Sequence, residues 1–208
     1  MTRKRIMEKE LEKLKEEILE RVRKAETFRI RYERACEANN VEDLLTIIKN
    51  NFNYCCIHGI IDAPLIKKYE KLFNASKIYA NVDVSEGYLL ASGSSIVQAS
   101  GDAIVMAWDN STVIAYDNSS VQSRDNATVK AYHNSTVEAY DYVTVEASGN
   151  ATVRAFNYAT VEASGYAYVT SNDIIPKVVL QGNAIYRVLE TNKVYYASET
   201  IKFEKWKN

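Results

Sequence analysis

Residues equipped for chemistry are sparse in this sequence, which has two histidines and three cysteines in 208 residues. Cys55 and His58 stand three apart near the end of an apolar stretch, a spacing that can open a zinc site because thiolate and imidazole both ligate that metal. Neither a second pair nor a nearby acid completes the ligand set, so His58 is expected to be a packed helix-end histidine, and no metal is expected. Cys36, Cys55 and Cys56 are odd in number and two are adjacent, which fits reduced thiols better than a disulfide framework. His133 stands where neighbouring segments carry Asp or Gly, and turn duty explains it. The phosphate-loop GxxxxGKS/T, the zinc-protease HExxH, the nucleophile elbow GxSxG and the calcium nonapeptide are all missing. No catalytic residue and no cofactor are therefore expected, and an enzyme is disfavoured.

Asp109, Asp125 and Asp141 recur every sixteen residues, and that spacing leads from chemistry to architecture. Eleven octads run without interruption from Glu86 to Asp173, among them NSTVIAYD, NATVKAYH, NSTVEAYD and NATVRAFN. Position four is Val in ten of them, position six is Ala in nine, and positions three, five and seven vary, so each octad reads as a strand with one buried face. Positions eight and one carry turn residues. A flat antiparallel meander would turn every second Val outward, whereas a parallel solenoid stacks octads two apart in register. The expected fold is therefore mainly β: a two-sheeted parallel β-solenoid of sixteen residues per coil, a rod about 26 Å long at about 4.8 Å per layer. Its core is expected to contain Val97, Val105, Val113, Val121, Val129, Val137, Val145, Val153 and Val161.

Stacking turns sequence positions into columns. On one sheet, position seven carries Trp108, Arg124, Tyr140 and Phe156, with Met106 extending the patch from the position-five column beside it. Exposed rings around an arginine make a candidate partner-binding surface, although large stacked side chains also favour strand pairing alone. The other sheet carries Tyr116 and Tyr132 in the same column. Asn118, Asn134 and Asn150 are expected to form an internal amide ladder. The stacked Asp109, Asp125 and Asp141 would repel one another, and turn hydrogen bonds rather than a cation are expected to offset that. A Thr ladder at Thr112, Thr128, Thr144 and Thr160 suggests ice binding, but the charged neighbours Lys130, Glu146 and Glu162 argue against it.

Residues 1–76 read as a helical module and 77–173 as the solenoid with its lead-in, followed by a β cap over 174–208. The module contains a long charged helix over 3–37, with shorter helices over 40–58 and 63–73. The long helix has one apolar stripe through Met7, Leu11, Leu14, Ile18, Val22, Ala25, Phe28 and Tyr32. It is a candidate coiled coil, and so a possible route to a homo-oligomer through residues 3–37; the rival reading folds it back on its own module. Asn40 and Asp62 are expected N-caps, Gly59 a helix end, and Pro64 a first-turn residue.

The NSTVEAYD and NATVRAFN units resemble the Ala/Val-rich octapeptide repeats of β-solenoid proteins from gut bacteria, their phages and conjugative elements. The lead-in NNVEDLLTIIKNNFNYCCIHGIIDAPLIKKYEKLF is similar to the helical segment preceding such repeats. The resemblance covers about residues 40 to 173. It implies a phage or mobile-element setting and carries over no catalytic residue.

The whole-chain charge of −1 conceals an uneven distribution: residues 1–85 carry +3, 86–173 carry −7 and 174–208 carry +3. An acidic rod can partly imitate a nucleic-acid duplex, though far below the one charge per about 1.7 Å of DNA. No direct nucleic-acid binding is expected, and no apolar run approaches the roughly 20 residues of a membrane helix. The opening MTRKRIMEKELEKLKEE is too charged for a signal peptide, so a cytoplasmic location is expected. The leading functional expectation is a non-enzymatic scaffold that presents the solenoid surface to a protein partner. The alternatives are an anti-defence inhibitor of a bacterial nuclease and a virion or filament component.

Overall fold

The computed structural model describes residues 3–25, 38, 40–173 and 175–197. The chain forms two compact units, Met1–Asn81 with Gly87–Leu90, and Val82–Glu86 with Ala91 onward.

In the first unit, α1 (Arg3–Lys24) buries Leu14, Ile18 and Val22, so this part of the apolar stripe packs within the chain's own unit. Glu17 on the same helix accepts from Lys68 Nζ at 2.6 Å and from the Tyr69 hydroxyl at 3.2 Å, while Arg21 pairs with Asp62 at 2.8 Å. The remainder of the expected helix over 3–37, with Phe28, Tyr32 and Cys36, lies outside the described residues beyond Ala25. Asn40 caps α2 (Val41–Asn50) by accepting from the Asp43 amide at 2.9 Å, as its position suggests. The single helix expected over 40–58 is instead two, because Asn51 interrupts it before α3 (Phe52–Ile57). The Asn51 side-chain amide donates to the Ile47 carbonyl at 2.9 Å and its backbone N–H turns to Ile48, so the side chain takes the acceptor that a continuing helix would use. Gly59 ends this segment at φ 63°, and Asp62 caps α4 (Ala63–Lys68) through the Leu65 amide at 2.8 Å. The expected helix over 63–73 is also divided, at Tyr69 (φ −113°, ψ 32°), before α5 (Glu70–Ala75). Strand β1 (Ile78–Ala80) then pairs in parallel with β2 (Tyr88–Ala91), and Phe52 lies against Tyr88 with ring centroids 5.1 Å apart.

The second unit is a parallel β-solenoid with two sheets. One contains β3 (Ile96–Ala99), β5 (Thr112–Ala115), β7 (Thr128–Ala131), β9 (Thr144–Ala147), β11 (Thr160–Ala163) and β13 (Lys177–Leu180). The other contains β4 (Ile104–Ala107), β6 (Ser120–Ser123), β8 (Thr136–Ala139), β10 (Thr152–Ala155), β12 (Tyr168–Ser171), β14 (Ile185–Val188) and β15 (Lys193–Tyr196). Val stands on Val and Ala on Ala at sixteen-residue steps, as in Val121↔Val137 and Ala115↔Ala131. The nine expected core valines are at most 1% exposed, and burial of a side chain of this size contributes about 1.5–3 kcal/mol. Position two adds a third buried column, with Ala103, Ser111, Ser119, Ala127, Ser135, Val143, Ala151, Ala159 and Ala167 all at 0% exposure.

Backbone geometry explains the composition of position eight. All ten residues there from Gly93 to Gly165 have φ between 53° and 70°, the left-handed region, which selects Gly, Asp, Asn and here His133. Parallel stacking also continues beyond Asp173, so the solenoid does not end where the octads do. The coil containing IIPK is one residue longer, with Thr160 facing Lys177 and Tyr168 facing Ile185 at seventeen-residue steps. The cap expected over 174–208 is thus reduced, within the described residues, to β15, which turns antiparallel to β14.

Candidate functional site

Sixteen-residue register places Trp108, Arg124, Tyr140 and Phe156 one above another on the outer face of the sheet containing β4 to β14. They follow the strand ends of β4, β6, β8 and β10, and all four are half-buried. The Arg124 guanidinium lies between two rings, 5.8 Å from the Trp108 centroid and 4.3 Å from that of Tyr140. Tyr140 stacks on Phe156 at 4.6 Å with an interplanar angle of 5°. These expected site residues therefore form one continuous stack, in which a cation is shared between two π faces.

Met106 is a correction. It is 0% exposed, so it cannot extend the patch, whereas its registered neighbour Gln122 remains half-buried. An unbranched thioether can lie down among the large side chains of its own face, so an outward position need not be an accessible one.

Sequence reading missed the role of Glu138 beside the stack. Its carboxylate accepts from Gln122 Nε2 at 3.2 Å, from the Tyr140 hydroxyl at 3.2 Å and from Arg154 Nη1 at 3.0 Å. Arg154 in turn lies 5.4 Å from the Phe156 ring centroid. The sixteen-residue spacing of Gln122, Glu138 and Arg154 was the available signal. Burial pushes the Tyr140 phenol above its usual pKa, so the hydroxyl remains a donor to Glu138 near neutral pH. Arg124 Nε and Gln122 Oε1 are buried without a hydrogen-bond partner.

Each corner closes on itself through the backbone, as where the Ser111 amide donates to the Trp108 carbonyl at 3.1 Å, whereas the side chains of Asp109, Asp117, Asp125 and Asp141 bond to the layer before rather than within their own turns. The Gly93 amide donates to Asp109 at 2.8 Å, that of Asp109 to Asp125 at 3.2 Å, and that of Asp125 to Asp141 at 3.4 Å. The opposite corner repeats this, with the Gly101 amide donating to Asp117 at 3.1 Å and the Asp117 amide to His133 Nδ1 at 3.3 Å. These bonds offset the repulsion within the acidic column. The expected internal amide ladder is corrected: Asn118, Asn134 and Asn150 are exposed, and Asn150 reaches Asn134 at 3.4 Å while Asn118 turns to Asp102 at 3.5 Å. Tyr142 and Tyr158 form a further stack at a corner, 5.4 Å apart and over 60% exposed.

His58 lies at the helix end as expected but is exposed rather than packed, its ring resting 4.1 Å from that of Tyr54. Among the described residues no group of three or more His, Cys, Asp or Glu is placed to hold a metal ion, and no helix is long and apolar enough to cross a membrane. Comparison with protein-family models, with curated proteins and with solved structures finds no match.

Proposed function

We propose that the protein is a non-enzymatic interaction scaffold whose solenoid binds a protein partner through the Trp108–Arg124–Tyr140–Phe156 column. The observation that carries this reading is the continuous stack itself, with three aromatic side chains and one guanidinium in adjacent layers of one rigid sheet. Trp, Tyr and Arg dominate binding energy at protein interfaces, and a surface held in place by strand register loses little freedom when a partner arrives. The resemblance to octapeptide-repeat proteins of phages and conjugative elements suggests a host or phage protein as the partner.

The test is affinity capture from a native host lysate, with the full chain and its W108S/Y140S/F156S variant as parallel baits. A partner retained by the first and lost by a folded second variant supports the reading. Equal retention by both would place the binding surface elsewhere.

A further inference from the structure

On the opposite sheet, the position-seven column changes abruptly in size. Tyr116 and Tyr132 stack with centroids 5.3 Å apart and planes 18° apart, but the next two layers carry only Ser148 and Ser164. The missing bulk leaves an open groove lined by Tyr132, Glu146, Ser148, Glu162, Ser164 and Gln181. Three layer steps separate the Tyr132 level from that of Gln181, a length of about 14 Å. Tyr132 uses one ring face against Tyr116, and its other face fronts this groove. Two carboxylates flank it: Glu146, which pairs with Lys130 at 3.1 Å in an exposed ion pair, and the exposed Glu162, which has no ion pair among the described residues.

The geometry points to a binding site for an arginine side chain of a basic protein segment, with its guanidinium laid on the free face of Tyr132 and its N–H groups directed to Glu162 and the serine hydroxyls. The chain already shows that a guanidinium fits this column: on the first sheet Arg124 occupies position seven one layer after Trp108 and one layer before Tyr140, 5.8 Å and 4.3 Å from their ring centroids. Ser148 stands one layer after Tyr132, as Arg124 stands one layer after Trp108, but is too small to cover the ring, and Glu162 lies one layer further on. An arginine fits better than a lysine because a planar guanidinium stacks on a ring and donates in its own plane at the same time. The site lies on the other sheet from the Trp108 column and does not depend on that column's role.

The test is an NMR titration of the full ¹⁵N-labelled chain at low salt with a blocked Gly-Arg-Gly peptide, repeated with its citrulline and lysine counterparts. Expected are shifts grouped at Tyr132, Ser148, Glu162 and Ser164 with the arginine peptide, and at least about fivefold weaker binding of citrulline, which lacks the charge. Ser148→Tyr fills the groove and should abolish these shifts, with amide dispersion reporting that it folds. Glu162→Gln, a surface change that leaves the groove open, should weaken binding about threefold. Citrulline or lysine binding as tightly as arginine, shifts spread over the acidic corners, or unchanged binding in both variants would overturn the assignment.

Discussion

The guanidinium carbon of Arg124 lies 4.3 Å from the ring centroid of Tyr140, sixteen residues and one coil away, so each side chain restricts the rotamers of the other. Such a contact is worth about 0.5–2 kcal/mol depending on its desolvation. Arg124→Ala should therefore lower solenoid stability by about 1 kcal/mol. Arg124→Lys should recover only part of the loss, since an ammonium does not stack. Chemical denaturation of the two variants beside the wild type checks this.

Ser111 and Ser135 are fully buried at position two, and their hydroxyls have no hydrogen-bond partner. Ala occupies the same position at 103, 127, 151, 159 and 167 with equal burial, so the site accommodates a methyl group. Replacing Ser111 or Ser135 by Ala removes an unsatisfied polar group and should stabilise the chain by about 1 kcal/mol each. Ser119, whose hydroxyl donates to the Tyr116 carbonyl at 2.7 Å, should gain nothing from the same change. Melting temperatures of the three variants separate the cases.

Corner chemistry makes an equally specific prediction at Asp125, which has φ 58° and accepts from the Asp109 amide. Asp125→Gly gives up the exposed hydrogen bond but suits the left-handed backbone, and should cost less than about 1 kcal/mol. Asp125→Ala adds the left-handed penalty of about 1–2 kcal/mol and should be clearly worse. Equal destabilisation in urea titrations would show that the side-chain bond, not the backbone, selects the residue.

The octad made the buried face, the parallel register and the stacked site column legible, because identical side chains at fixed spacing have only one way to share a core. What remained illegible depended on where side chains settle. Position five points outward at both Met106 and Glu146, yet Met106 is fully buried and Glu146 is exposed. The division of the helix at Asn51 depends on one side-chain amide reaching Ile47, a choice that helical periodicity does not encode. The acceptors at the corners were visible as Asp and Asn, but their donors lie one coil away, so the bond appears only after stacking. The continuation through β13 and β14 was hidden by a single extra residue that breaks the period of eight without breaking the sheet.

In the helical unit, the hydrogen bond from Lys68 holds Glu17 below the ordinary carboxylate pKa of 4.5, assisted by the charges of Lys68 and Arg21. A carboxylate depressed in the folded state stabilises above its unfolded pKa, and that contribution is lost as pH falls through the folded value. Stability of this unit should therefore decline as pH drops below 4.5, with a share of the decline due to Glu17 that solvent screening keeps below about 1 kcal/mol. Glu17→Gln should be less stable at neutral pH and show a shallower acid dependence. Helical circular dichroism during acid titration of both proteins checks the sign.

Hydrogen–deuterium exchange on the captured complex tests the proposed interaction surface most directly. If the Trp108–Arg124–Tyr140–Phe156 column is the docking surface, partner binding slows amide exchange in the segments after β4, β6, β8 and β10, and leaves the strands of the other sheet at their free rates. Protection confined to the helical unit, or an unchanged exchange pattern along the column, would contradict a binding role for it.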